Sequence, residues 1–145
     1  MNGVVVYYSR TGNTEKIAKV ISEEIKGQEY NLKMFDKSEI SLNEIDTLFV
    51  GSGIYGGKLD NQVKDFILSL NDKPYNIAVF ITRAGIGKAY INEISDFIEK
   101  ARNNGNKACD DFFECYGKGI IFHRKYPRQE DFKKVANWVK NIDFK

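Results

Sequence analysis

A chain of 145 residues, 42% hydrophobic and 29% charged, is large enough to bury a core and is expected to fold as one globular domain over residues 1–145. Its net charge of +2, with no basic run interleaved with aromatics, sets nucleic acid aside as a partner. No apolar stretch approaches the ~20 residues that cross a bilayer and the amino terminus lacks a leader pattern, so the expectation is no membrane and a cytoplasmic location.

Val4-Val5-Val6-Tyr7-Tyr8 is β-branched and aromatic without alternation, the pattern of a strand covered on both faces. Ile17, Ala18, Ile21 and Ile25 then recur at helical spacing among Glu15, Lys16, Lys19, Glu23 and Glu24, which predicts an amphipathic helix. Glu29 to Phe35 reads as a short second strand, and Asp36 to Asp46 as loop or a short extra turn. Thr47 to Ser52 is a third strand, followed by a helix marked by Val63, Phe66, Ile67 and Leu70. Asn76 to Thr82 is the most clearly buried strand, and its helix carries Ile91, Ile94, Ile98 and Ala101 before stopping near Asn104-Gly105. Ala108 to Cys115 is the fifth strand, and Phe132, Val135, Ala136 and Val139 share one face of a last helix that starts after Pro127. Strands alternating with helices predict an α/β fold built on a parallel sheet, with five strands and about four helices.

Ligands of such sheets bind at the carboxyl ends of the strands, and there the sequence changes character. After the first strand, Ser9-Arg10-Thr11-Gly12-Asn13-Thr14 leads into a helix whose first N–H groups point outward, with the positive end of the helix dipole behind them. Small side chains let an anion reach the backbone; Ser9, Thr11 and Thr14 offer hydroxyl donors, Gly12 admits a conformation other residues resist, and Arg10 adds charge. Taken alone, the turn reads equally well as an ordinary helix start capped by Asn13 or Thr14. The third strand ends in Gly51-Ser52-Gly53-Ile54-Tyr55-Gly56-Gly57-Lys58 and the fourth in Thr82-Arg83-Ala84-Gly85-Ile86-Gly87, small residues that let backbone approach something flat. Either loop alone is a turn; together with the anion loop, at strand ends expected to converge, they indicate a ligand site. The first strand is followed by neither Gly-x-x-x-x-Gly-Lys nor Gly-x-Gly-x-x-Gly, and Gly85-Ile86-Gly87-Lys88-Ala89-Tyr90 begins like the latter but ends in Tyr after a later strand.

The run Ser9 to Thr14 resembles the phosphate loop of the flavodoxin family: Ser or Thr, any residue, then Thr-Gly-x-Thr, directly after the first strand. The resemblance covers nearly the whole chain, more loosely in Ser52 to Gly57. It is of the short-chain type, because strand five runs on to Gly117 and Gly119 without a long insertion. It implies a doubly wound five-stranded sheet in the order 2-1-3-4-5 with helices on both faces, and FMN as cofactor. The FMN phosphate is then expected at Ser9, Arg10, Thr11, Gly12, Asn13 and Thr14. The ring is expected between Gly53, Ile54, Tyr55, Gly56 and Gly57 on one side and Thr82, Arg83, Ala84, Gly85 and Gly87 on the other. Tyr55 is expected to stack on the ring, with Tyr90 a second candidate that could equally open the next helix. In the family a Gly peptide of the first ring loop turns to accept a hydrogen bond from the reduced N5, and Gly56 and Gly57 both match. The implied function is low-potential electron transfer between redox protein partners, by a monomer. The alternative on the same fold is an FMN oxidoreductase acting on a quinone or a porphyrinogen.

The chain departs from the family in charge, since electron-carrying flavodoxins are usually acidic. His123-Arg124-Lys125-Tyr126-Pro127-Arg128 forms a basic cluster downstream of Asp110, Asp111 and Glu114, which reads as a solvated face. Arg83 is expected to lie near the ring and make its reduction more favourable than in acidic relatives. Cys109 and Cys115 form no Cys-x-x-Cys pattern and read as reduced core-filling thiols, with Cys115 near enough to the strand end to be a partly exposed alternative. A phosphatase loop is excluded by Ile121, which stands where Arg is needed six residues after Cys115, and a receiver domain by Ser9-Arg10 and Ser52-Gly53, where carboxylates are needed.

Overall fold

The computed structural model describes residues 1–117 and 126–144. Its strands are β1 (Gly3–Tyr8), β2 (Glu29–Asn31), β3 (Thr47–Gly53), β4 (Asn76–Arg83), β5 (Lys107–Ala108) and β6 (Phe113–Tyr116); its helices are α1 (Asn13–Ile25), α2 (Asn61–Leu68), α3 (Ala89–Asn103) and α4 (Gln129–Lys140). All pairings are parallel, in the order β2-β1-β3-β4-β5, with β6 also on β4. The expected doubly wound 2-1-3-4-5 sheet is what forms, with β5 and β6 sharing its fifth position.

Side-chain alternation along each strand divides the core between two faces. Val4, Val6, Leu48, Val50, Ile77, Val79 and Ile81 pack with Val63, Phe66 and Ile67 of α2 and Tyr90, Ile94, Phe97 and Ile98 of α3. Val5, Tyr7, Phe49, Ala78 and Phe80 face the other way, onto Ile17, Ala18 and Ile21 of α1 and Val135 and Val139 of α4. Gly51 pairs with Phe80 across the β3–β4 ladder, and a Cβ on Gly51 would stand only 2.1 Å from the Phe80 ring. The missing side chain is what lets that ring lie across β3.

Three expectations are corrected. The second strand ends at Asn31 rather than Phe35, because the Asn31 side-chain oxygen accepts from Lys33 N at 3.1 Å and turns the chain. The fifth strand is broken: Ile77 pairs with Ala108 and Phe80 with Phe113, so Ala78 and Val79 run opposite the four residues from Cys109 to Phe112. The break carries Asp110 and Asp111, both exposed, and Arg102 ties it down by donating to Ala108 O and to Asp110 Oδ1, each at 2.6 Å. Charge at an edge strand is a common device against further pairing. On α3 the buried side includes Tyr90 and Phe97, while Ile91 is left 39% exposed. Between β2 and β3 the expected short turn is a 3-10 helix, Lys37–Glu39, held at its start by Asp36 N donating to Glu39 Oε1 at 2.9 Å. Cys109 and Cys115 are free and buried. The basic cluster at His123 to Lys125, and Gly119, lie outside the described residues. Among the described residues no helix is long and apolar enough to cross a membrane.

Candidate functional site

The parallel register brings the ends of β1, β3 and β4 to one edge of the sheet, so the three unusual loops meet. At the first, Gly12 precedes α1 with φ +93°, and a Cβ there would meet nothing within 4 Å. Among the described residues no side chain caps the helix at Gly12: Ser9 Oγ accepts from Gly12 N at 3.0 Å, one residue short of the helix, and Lys16 N donates to Gly12 O at 3.1 Å. The N–H groups of Thr11, Thr14 and Glu15 have no partner among the described residues. The turn capped by Asn13 or Thr14 is therefore not what forms; the loop keeps its donors open, as an anion site requires. Asn13 Nδ2 donates to Thr11 Oγ1 at 3.2 Å, and its side chain lies so close to Gly117 that a Cβ there would stand 2.7 Å from Nδ2.

At the second loop, Tyr55 and Lys58 exchange backbone hydrogen bonds of 2.9 and 3.1 Å around Gly56 (φ +60°) and Gly57 (φ +79°). Two consecutive positive φ values make a tight two-residue hairpin that only such residues accommodate cheaply. The Tyr55 ring folds back over Gly53 and takes the Arg10 guanidinium 3.9 Å from its centroid, while the Tyr55 hydroxyl oxygen accepts from Arg10 N at 3.4 Å. Its burial raises the phenol pKa, partly offset by the Arg10 N–H and charge.

The third loop is tied to both others. Thr82 O accepts from Ile54 N at 2.9 Å, and Thr82 Oγ1 lies 2.8 Å from Thr14 Oγ1. Arg83 is 9% exposed. It donates to Gly85 O at 2.9 Å and to Glu114 Oε1 at 3.4 Å, with its guanidinium 5.0 Å from the Tyr90 ring and 4.7 Å from that of Tyr116. The Tyr90 hydroxyl donates to the same carboxylate at 3.0 Å; burial and that carboxylate together raise its pKa.

Two adjoining hollows result, sharing Ile54 and Arg83. One, of 190 Å³, is lined by Ser9, Thr11, Asn13 and Thr14 together with Gly53, Ile54, Tyr55, Thr82, Arg83, Ala84 and Gly117. The other, of 410 Å³, lies between Ile54, Gly56 and Gly57 on one side and Arg83, Gly85, Gly87, Ala89 and Tyr90 on the other. Gly85 and Gly87 present open space where a side chain would project. All the expected site residues except Arg10 and Gly12 line one hollow or the other. A donor-rich small cavity beside a larger one walled by glycines suits a molecule with an anionic end and a flat end. Larger hollows, one of 590 Å³ beside Met34 and Phe35 and one of 460 Å³ beside Cys109 and Trp138, are lined by no glycine and by no residue of these three loops.

Residues 4–121 match the family described as Flavodoxin domain. The chain belongs to the flavodoxin family. Solved flavodoxins of similar shape include one from the domain Archaea, with a TM-score of 0.71 and 22% identity over 96% of this chain and 94% of that one. Oxidised Flavodoxin 2 from Bacillus cereus gives a TM-score of 0.71 and 21% identity over 97% and 96%. An uncharacterized protein of Methanocaldococcus jannaschii is 29% identical over 154 aligned positions, 98% of each chain.

Within this flavodoxin framework two contributors escaped the sequence reading. Asn31 Oδ1 accepts from Ser9 N at 3.3 Å and so steadies the Ser9 to Thr14 loop from the edge strand; the signal available was an Asn in the middle of a predicted strand, where it is disfavoured. Glu114 pairs with Arg83, from 31 residues away, and no local pattern announces such a partner. Tyr90 opens α3 and lines the larger hollow from a buried position, while Tyr55 lines the smaller one.

Proposed function

We propose that this protein binds FMN and carries electrons between redox partner proteins. What supports the reading above all is the start of α1, whose Thr11, Thr14 and Glu15 N–H groups have no partner among the described residues, beside a 190 Å³ hollow that adjoins a glycine-walled one of 410 Å³. FMN, when bound, supplies a ring that accepts and releases electrons singly, and one terminal phosphate that anchors it. Ser9, Arg10, Thr11, Gly12, Asn13 and Thr14 would hold the phosphate through backbone N–H groups, hydroxyls and one guanidinium. Gly53, Ile54, Tyr55, Gly56 and Gly57 would lie along one side of the ring, and Thr82, Arg83, Ala84, Gly85 and Gly87 along the other. The Gly56–Gly57 peptide sits in a turn of glycines, where a rotated peptide carries little steric penalty, so its carbonyl can be offered to a ring N–H. Arg83 brings positive charge to the wall between the hollows, reduced by Glu114. Partner proteins would meet the ring at the carboxyl edge of the sheet.

Purified protein reconstituted with FMN under anaerobic conditions is expected to bind one flavin, bind riboflavin more weakly, and accept electrons in two separately resolved one-electron steps. Failure to bind FMN at micromolar concentration overturns the reading. Bound flavin that is reduced in a single two-electron step and turns over a quinone moves the protein to the oxidoreductase alternative.

A further inference from the structure

Thr14 and Thr82 are 68 residues apart in sequence, yet their hydroxyl oxygens are 2.8 Å apart. Thr14 is 1% exposed and Thr82 3%, and neither hydroxyl has another hydrogen bond among the described residues. The pair satisfies the usual rule that a buried polar group has at least one partner, but it does not use both hydrogens. Each can donate once and accept twice, so the pair shares one hydrogen and leaves the second for something else. Both residues line the smaller hollow. Thr14 stands in the first turn of α1, beside the N–H groups of Thr11 and Glu15 that have no partner among the described residues.

Thr82 is fixed on every side. Its neighbours in the sheet are Gly53 on β3 and Cys115 on β6, and its carbonyl holds Ile54 N at 2.9 Å. By strand alternation it faces the same way as Phe80, toward α1. We infer that Thr82 is a positioning residue for the anionic end of the ligand: its hydroxyl donates to Thr14 Oγ1, and Thr14 then donates outward to the phosphate. A phosphate monoester offers acceptors to this loop, so the Thr14 hydrogen goes to the anion, and only Thr82 is left to donate within the pair. A donor that is itself accepting a hydrogen bond is polarised, which strengthens its bond to an anion. Thr82 thus acts on phosphate recognition without touching the phosphate, and ties that recognition to Ile54 at the start of the ring loop.

The inference rests on the FMN reading above, and its test separates the two. Dissociation constants for FMN and for riboflavin are measured by flavin fluorescence quenching on the full chain, for wild type, Thr82→Val, Thr82→Ala and Thr82→Ser; ligand-free unfolding is followed by circular dichroism. Thr82→Val is expected to lower the preference for FMN over riboflavin by about fivefold, the usual scale for losing one neutral hydrogen bond, here the one that aligns and polarises Thr14, and Thr82→Ser to retain it. Thr82→Ala removes the hydroxyl without adding bulk and carries the same expectation should the Val variant fail to fold. An unchanged preference in Val and Ala overturns the relay, as does equal loss in Ser and Val, which makes the role one of packing. A wild type that prefers FMN while the variants match it overturns this inference alone. A wild type that binds neither flavin overturns the FMN reading and the relay with it.

Discussion

Cys115 lies 8% exposed against the α1 and α4 side of the sheet, where burial, with Asp131 and Glu114 nearby, pushes its thiol from an ordinary 9.0 up to about 12. The folded protein therefore keeps this proton at pH values where the unfolded chain gives it up. With fewer protons bound to the unfolded state, stability falls as pH rises, beginning near the unfolded value of 9.0 and continuing to about 12. Integrating the linkage from pH 7 to pH 10 gives a loss of about 1.4 kcal/mol from this single group. Tyr7, Tyr55, Tyr75, Tyr90 and Cys109 are also raised and act in the same direction, so wild type alone cannot isolate Cys115. The discriminating comparison is Cys115→Val, which fills similar space without a titrating group. Urea unfolding of both ligand-free proteins, with reductant present, at pH 7 and pH 10 is expected to show wild type losing about 1.4 kcal/mol more than the variant over the interval. Equal losses would refute the reasoning and return Cys115 to the partly exposed thiol that the sequence left open.

Gly51→Ala places a Cβ 2.1 Å from the Phe80 ring and forces the β3–β4 pair to shift; overpacking of about 2 kcal/mol corresponds to a fall of about 6 °C in melting temperature, checked by calorimetry, and an unchanged melting point would contradict it. Arg83→Gln is expected to make the reduction of bound flavin harder and Glu114→Gln to make it easier, each on the order of 60 mV, because one removes positive charge from the hollow and the other removes its counter-charge; spectroelectrochemical titration reads both, and shifts of the same sign would sink the idea. Gly12→Ala confronts φ +93°, which costs an L side chain about 1 kcal/mol or more; relaxation of that strain should displace the loop N–H groups and weaken FMN binding more than riboflavin binding, measured by the same fluorescence assay.

What sequence could reveal here followed from how local each cause is. Val4 to Tyr8 and Asn76 to Thr82 are apolar runs of the kind that strands buried on both faces carry, and the Ser9 to Thr14 loop sits between such a strand and a strongly amphipathic helix. Glu29 to Phe35 reads as one strand, but the Asn31 side chain competes for backbone N–H groups and ends it early. Ala108 to Cys115 reads as one strand, but the charges of Asp110 and Asp111 resist enclosure and break it. On α3 the spacing puts Ile91 inward, but Tyr90 and Phe97 fill that side and leave Ile91 at the surface. The Thr14–Thr82 and Arg83–Glu114 pairs depend on which strands lie side by side and in what register, and no window of sequence contains that information.

Asn31 uses one carbonyl oxygen twice, to end β2 through Lys33 N and to hold Ser9 N. β2 is three residues long and forms the outer edge of the sheet, the kind of element that opens and closes well before the whole molecule unfolds. An opening of β2 would free Ser9 N from Asn31 Oδ1, so the Ser9 to Thr14 loop and the edge strand are expected to share one local equilibrium. An anion seated at Ser9 to Thr14 would favour the closed form, and is then expected to slow hydrogen exchange at Glu29 to Asn31. The rim of the sheet would then register whether the loop at the start of α1 is occupied.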